Sequence, residues 1–287
     1  MSEGTREAVM VDRVSIGICQ NYLNYDFEDN IARASIMVDR AASMGADMAV
    51  FTEMFFTPYE PEAIRSAAQY SMNALEVMKE RALRNKIHII AGSMPWTAEG
   101  RRFFNRAYVI GPGGGIIHHH DKIHLFDCTP PGGPSVKESD VIAPGGSLKH
   151  FGTPWGNASV IVCYDIRFTP LAQLLAERDV RLLFVPAAFS ISTGKAHWEM
   201  LVRMRALELQ AFVIGVQPAY NPDLRYIPWG HSLAASPWGE VLFDAGSEEG
   251  VHIVKLDLAQ IDKIRAQFPL LSHRRHDLYQ TIWKGGS

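Results

Sequence analysis

An apolar run over residues 158–162, broken only by Ser159, ends at Cys163 and turns through Tyr164-Asp165-Ile166-Arg167-Phe168. The run is too short for a helix and reads as a buried strand. Thr169-Pro170 then offers an N-cap and a first-turn proline for a helix over 171–178. A thiol between a strand end and a helix start sits where α/β proteins open their active-site crevice. Backbone N–H groups at such a turn favour a thiolate or an oxyanion. A lone cysteine is more often buried for packing than for reactivity, so Cys163 needs partners before it means chemistry.

The rest of the chain fits an α/β frame. Strand signals at 14–19, 48–51 and 87–91 alternate with helical spacing at 29–44 and one helix over roughly 60–85. Residues 104–110 and 116–117 flank Gly111-Pro112-Gly113-Gly114-Gly115 as a hairpin. After the cysteine come a strand (182–185), a helix (196–210), a strand (212–216), a second hairpin (232–243), a strand (251–256) and a helix (258–267). A proline- and glycine-rich stretch over 127–146 is too long for a routine connection and reads as a functional loop. Parallel βα units combined with hairpins predict mixed sheets with helices outside. No linker or low-complexity gap interrupts the pattern, so residues 1–287 read as one domain with a core over about 14–265.

The bulk numbers exclude several classes. A net charge of −3 gives no general attraction to nucleic acid or an acidic membrane. No apolar run approaches the ~18 residues of a membrane helix, and the first fourteen residues lack a signal-peptide core. Three scattered cysteines, Cys19, Cys128 and Cys163, make no disulfide framework and suit a reducing compartment. The expectation is a cytoplasmic protein.

Two further polar residues stand at strand ends in apolar company, Glu53 and Lys122. Singly, one reads as a turn cap and the other as a solvated strand end. With Cys163 they supply a base, a fixed cation and a nucleophile, the set acyl transfer needs. His118-His119-His120 carries no metal reading, because alternate strand residues face opposite sides and no acid completes a site; it reads as a solvated strand end. His197, His231 and His276 lack the surroundings of a cysteine protease, and Arg101-Arg102 is too short for nucleic acid.

Phe51-Thr52-Glu53-Met54-Phe55, Asp121-Lys122-Ile123-His124-Leu125-Phe126-Asp127 and Cys163-Tyr164-Asp165-Ile166-Arg167-Phe168 resemble, in order and spacing, the three motifs of the nitrilase (carbon–nitrogen hydrolase) superfamily. Lys137-Glu138-Ser139-Asp140, Thr193-Gly194-Lys195-Ala196-His197-Trp198, Trp229-Gly230-His231-Ser232 and Pro237-Trp238-Gly239-Glu240 match as well. The likeness covers about residues 14–279 and is nearest the omega-amidase branch. It implies a four-layer αββα sandwich of two mixed sheets, no metal or other cofactor, and a homodimer or larger homo-oligomer. The tail over 266–287, with apolar Phe268-Pro269-Leu270-Leu271, is expected to dock on a neighbour or on its own body.

The resemblance also implies roles. Glu53 is the base, Cys163 the nucleophile, and Lys122 with the Tyr164 backbone N–H holds the oxyanion. Glu138 orients the substrate or the lysine. Cys163-Tyr164-Asp165 points to amides, such as 2-oxoglutaramate or succinamate, where nitrile hydrolysers read Trp-Glu after the cysteine. Nitrile or N-carbamoyl hydrolysis by the same triad is the alternative, and a scaffold on a dead hydrolase fold is disfavoured by the intact triad. Small amide and water are the only partners implied besides further copies of the chain. Arg167 either anchors a substrate carboxylate or pairs with Asp165 or another acid, and Tyr59 could add a hydroxyl contact. The family's acid after Arg-Phe is replaced by Thr169-Pro170, with Thr169 expected to cap the helix, and Thr129-Pro130-Pro131-Gly132-Gly133-Pro134 is unusually rich in proline and glycine for a lid.

Overall fold

The alternating strand and helix signals fold into two mixed sheets packed face to face. The computed structural model describes residues 12–97 and 103–285. In chain order the first half runs β1 (Arg13–Gln20), α1 (Phe27–Ser43), β2 (Met48–Val50), α2 (Pro61–Ala67), α3 (Ser71–Asn85), β3 (His88–Ile90), β4 (Met94–Trp96), β5 (Phe104–Ile110) and β6 (Ile116–Asp121). A short hairpin follows, β7 (Asp127–Cys128) with β8 (Val136–Lys137), then β9 (Phe151–Thr153) and β10 (Gly156–Val160). The remainder is α4 (Thr169–Glu177), β11 (Val180–Pro186), α5 (Ile191–Leu209), β12 (Phe212–Val216), β13 (Leu233–Ala235), β14 (Val241–Asp244), β15 (Gly250–Asp257) and α6 (Ala259–Gln267).

The first sheet has the order β15-β1-β2-β3-β5-β4 with β6 beside β5, and the second the order β14-β13-β12-β11-β10-β9. In the first, β1, β2 and β3 are parallel and β15 and β5 are antiparallel to them. In the second, β10, β11 and β12 are parallel. The strands sort side chains by their period of two. Val14, Ile16 and Ile18 of β1 enter the core shared with β10, β11 and β12, whereas Cys19 faces the layer of α1 and α3. Helices α4 and α5 cover the second sheet with Leu171, Leu175, Trp198 and Val202. The layers are therefore helix, sheet, sheet, helix, and the ends of β2 and β10 meet at one edge of the inner core.

Several details differ from the sequence reading. The single helix expected over 60–85 is two helices joined by a 3₁₀ turn, Ala68–Tyr70, where the Ser71 hydroxyl donates to the Pro95 carbonyl and ties the bend to β4. The central strand stops at Val160, and Cys163–Arg167 form a 3₁₀ turn. Thr169 is no cap: it lies inside α4, Phe168 holds the N-cap position, and the cap makes no side-chain hydrogen bond. Pro170 pre-sets the first turn instead. Helix α5 starts at Ile191, five residues earlier than expected. The 127–146 stretch contains the β7–β8 hairpin and a 3₁₀ turn, Glu138–Asp140.

The tail follows its own body in part. Leu271 and Trp283 pack on the main core, Arg274 donates to the Gln173 carbonyl, and Leu278, Tyr279 and Ile282 stay exposed. The expected reach of this tail onto a neighbour is a matter of assembly. Arg101-Arg102 and the first eleven residues lie outside the described residues.

Candidate active site

Glu53 follows β2 by three residues, Lys122 follows β6 directly, and Cys163 follows β10 by three. Each lies where a strand has just ended, so its side chain is delivered by rigid backbone. Two glycines permit the crowding. A Cβ on Gly92, at φ +45°, would sit 1.9 Å from the Thr52 carbonyl oxygen beside Glu53. A Cβ on Gly145 would sit 2.1 Å from the Asp121 carbonyl oxygen beside Lys122. Cys163 itself has φ +47°, a left-handed conformation that costs a non-glycine residue on the order of 1–2 kcal/mol. Such strain persists only where the surroundings over-determine it, and it clusters at functional sites.

Lys122 is fully buried, and an ammonium has three protons to place. Its Nζ donates to Glu53 Oε1 at 2.8 Å, Glu138 Oε2 at 2.8 Å and Tyr59 Oη at 3.2 Å. Glu138 Oε2 also accepts the Phe126 N–H at 2.8 Å. Burial opposes the ammonium, but Glu138 and Glu53 outweigh it and hold Lys122 well above the usual lysine range. Burial pushes the Glu53 carboxyl up; Lys122 pulls it back and Glu138 pushes it up again. Cys163 is raised by burial and then by Glu53, against the pull of Lys122, so the resting group is a thiol. Taking these charges out of water costs several kcal/mol per ion, and only close pairing offsets it.

Glu53 Oε2 has no hydrogen-bond partner of ordinary geometry among the described residues, although the Cys163 thiol lies close enough to perturb it. An unsatisfied carboxylate oxygen beside a thiol is placed to receive its proton. The thiol opens on a narrow cleft walled by Tyr59, Phe126, Tyr164, Arg167, Phe189 and Tyr226, with about 10 Å³ for solvent, room for about one water. Cys19 is buried far up the thiol range by desolvation, and Cys128 spends its S–H on the Tyr164 hydroxyl at 3.4 Å.

The structure thus gathers Glu53, Lys122, Glu138, Tyr59 and Cys163, with Tyr164 and Arg167 on the same cleft. The Tyr59 hydroxyl accepts from Lys122, and its ring packs beside Tyr226. Arg167 does not pair with Asp165. Its Nη1 lies 3.2 Å from His197 Nδ1, its guanidinium stacks over Phe189 at 4.8 Å, and no carboxylate among the described residues is within ion-pair distance. The histidine run also departs from the solvated reading. His120 is 2% exposed, and its Nε2 lies 3.1 Å from Asp165 Oδ2.

Asn105 was absent from the sequence reading. Fully buried on β5, its Nδ2 donates to Glu53 Oε1 at 2.7 Å and Glu138 Oε1 at 3.0 Å, and its backbone carbonyl accepts the Lys122 backbone N–H at 2.9 Å. The available signal was its register: Asn105 shares the core-facing side of β5 with Ala107 and Val109, where an amide needs polar partners.

The sequence profile of the carbon-nitrogen hydrolase family matches residues 15–266. The chain is 38% identical to omega-amidase NIT2 of Danio rerio over 94% of its own length and 97% of the relative's. It is 38% identical to omega-amidase NIT2 of Homo sapiens over 89% and 93% of the two chains. Among solved structures, the C. elegans NitFhit protein superposes with a TM-score of 0.89 at 29% identity, covering 97% of this chain and 69% of that one. Saccharomyces cerevisiae Nit3, of the nitrilase superfamily, gives 0.84 at 28% identity over 93% and 98%. The chain belongs to the carbon-nitrogen hydrolase family and is a hydrolase of carbon–nitrogen bonds other than peptide bonds.

Proposed function

We propose that this protein is a cysteine-dependent amidase that cleaves the terminal amide of short dicarboxylate monoamides, of the 2-oxoglutaramate or succinamate type. The observation that carries the reading is the buried Glu53–Lys122–Glu138 cluster, with an unsatisfied Glu53 oxygen, set against the strained Cys163 turn. The names of the omega-amidase relatives support an amidase.

The Glu53 carboxylate takes the thiol proton and the thiolate attacks the amide carbon. The transfer leaves the charge of the buried cluster unchanged, so no ion has to be drawn from water during the step. Negative charge moves to the amide oxygen, where Lys122 and the Tyr164 backbone N–H receive it. The Lys122–Tyr59 contact is the longest of the three the ammonium makes, and an oxyanion can take its place at the least loss. Collapse expels ammonia with the proton from Glu53 and leaves a thioester on Cys163. Glu53 then deprotonates water, which attacks the thioester and releases the carboxylate and the thiol. Glu138 holds Lys122 throughout.

Arg167 gives the substrate preference. It lines the thiol's cleft, and no acid among the described residues neutralises it, so it can bind a substrate carboxylate. Ammonia release from succinamate, 2-oxoglutaramate, butyramide, a nitrile and an N-carbamoyl compound tests this. The dicarboxylate amides should be cleaved far faster than butyramide, and Arg167→Met should remove the difference while sparing the butyramide rate. Equal rates on charged and neutral amides in the parent enzyme would sink the assignment.

A further inference from the structure

Asp165 is a fully buried carboxylate two residues after the nucleophile, and the proton transfers above do not use it. Five donors converge on it. On Oδ1 these are the His124 backbone N–H at 2.9 Å and His124 Nδ1 at 2.8 Å. On Oδ2 they are His120 Nε2 at 3.1 Å, the Val162 N–H at 3.2 Å and the Ile123 N–H at 3.4 Å. A carboxylate only accepts, so both imidazoles present their protons to it. Burial would raise this acid, but the bonds from His120 and His124 outweigh burial and hold it far below the carboxylate range.

The positions of these donors matter more than their number. His120, Ile123 and His124 straddle Lys122 on both sides, and Val162 and Asp165 straddle Cys163 and Tyr164. Lys122 and the Tyr164 N–H come from different sheets, the first after β6 and the second after β10, and both must point at one oxygen. Of the contacts across this joint, Asp165 is the one with a full charge and both oxygens saturated.

We propose that Asp165 is a positioning residue: it clamps the Lys122 segment to the nucleophile turn, so that both oxyanion donors are held as one rigid pair. This rests on the amidase reading of the site. Asp165 touches no reacting atom. Its effect falls on the transition state, where a misplaced donor loses energy, and spares the bound substrate, whose carboxylate lies with Arg167.

The test compares kcat, KM and thermal melting in the parent, Asp165→Asn, His124→Ala and His124→Asn proteins. Asp165→Asn turns one acceptor oxygen into a donor facing other donors. It should lower kcat by about 10²-fold, near the loss of one oxyanion donor, with KM within about 3-fold. His124 is partly exposed, so its variants keep the test alive if Asp165→Asn fails to fold. Both lose the 3.6 Å stack of the imidazole on Phe168, but asparagine retains a donor at the reach of Nδ1. His124→Ala should lose kcat by about 10-fold, and His124→Asn should recover most of that at equal melting temperature. A kcat within 3-fold of the parent in folded Asp165→Asn would overturn the proposal. So would equal kcat in the two His124 variants, or a loss carried by KM. A parent protein inactive on every amide would overturn the reading of the site, and this proposal with it.

Discussion

Two carboxylates of this site, Glu53 and Asp165, are both 0% exposed, and the protein treats them in opposite ways. Glu53 Oε1 accepts from Lys122 and Asn105 while Oε2 has no partner of ordinary geometry; Asp165 has both oxygens filled by five donors. Burial, with Glu138 adding to it, leaves the Glu53 carboxyl above its ordinary range, whereas the histidine bonds take Asp165 below its own. An acid that moves protons must be left partly unsatisfied, since a saturated carboxylate has neither a free lone pair nor a reason to take a proton. An acid that fixes geometry gains from saturation. On the proposed mechanism, two buried acids of one site are thus suited to opposite purposes by the donors around them.

The comparison breaks most sharply at Glu53. On the proposed mechanism Glu53→Gln removes the proton acceptor, and kcat should fall by about 10³-fold, within the range of a lost general base. The same substitution should not lower the melting temperature at pH 7. A carboxyl whose folded pKa is raised contributes stability below its unfolded pKa and loses it as pH rises through the folded value, so at neutral pH its ionisation is a net cost. Ammonia assays and calorimetry on one preparation would check both halves, and a large drop in melting temperature would contradict the contrast.

Asn105→Ala should act next in size. It takes one donor from Glu53 and one from Glu138 without touching the thiol, and kcat should drop by roughly 10-fold, the effect of about one hydrogen bond to a charged group. With a donor gone, the Glu53 carboxylate is held less well and its pKa rises further. The acidic limb of the kcat/KM profile should then move to higher pH. An unmoved limb would mean that Asn105 only fills space.

The smallest effect sharpens the comparison from the other side. Asp165 has a depressed folded pKa, so its stabilisation is present above the unfolded aspartate value of about 3.9 and is lost as pH falls through the folded value. Melting temperature followed from pH 7 to pH 3 should fall in the parent, and part of that fall should be missing in Asp165→Asn. Parallel curves would mean that this carboxylate is not held as an anion.

Much of this arrangement was legible before folding was considered. Glu53 and Cys163 each follow an apolar strand, which reveals itself within a few residues through burial and period, whereas Lys122 follows the polar β6 and was legible through the motif around it. Most of the order of strands and helices was legible from burial and period too, though not the short β4, β7, β8 and β9, and Glu138 was legible through the motif around it. Asn105 was not, because one amide in a strand carries no local mark; only its register beside Ala107 and Val109 betrays it. His118-His119-His120 misled because the alternation of a strand says which residues share a face but not what lies opposite. His120 is buried because the turn after β10 arrives beside it with an acid.

The sequence by itself determined the elements, the strand ends and the residue types delivered there, since propensity and hydrophobic period act over a few neighbours. Tertiary structure alone decided which acid would be left partly unsatisfied and which saturated. Hydrogen bonds and burial couple residues such as Glu53 and Lys122 or Asp165 and His120, 69 and 45 positions apart, whose distance nothing local fixes. It also decided that Arg167 faces His197 and aromatic rings instead of an acid, and that Cys163 is held at a positive φ. Such a conformation costs energy locally, and only contacts made by distant segments can maintain it.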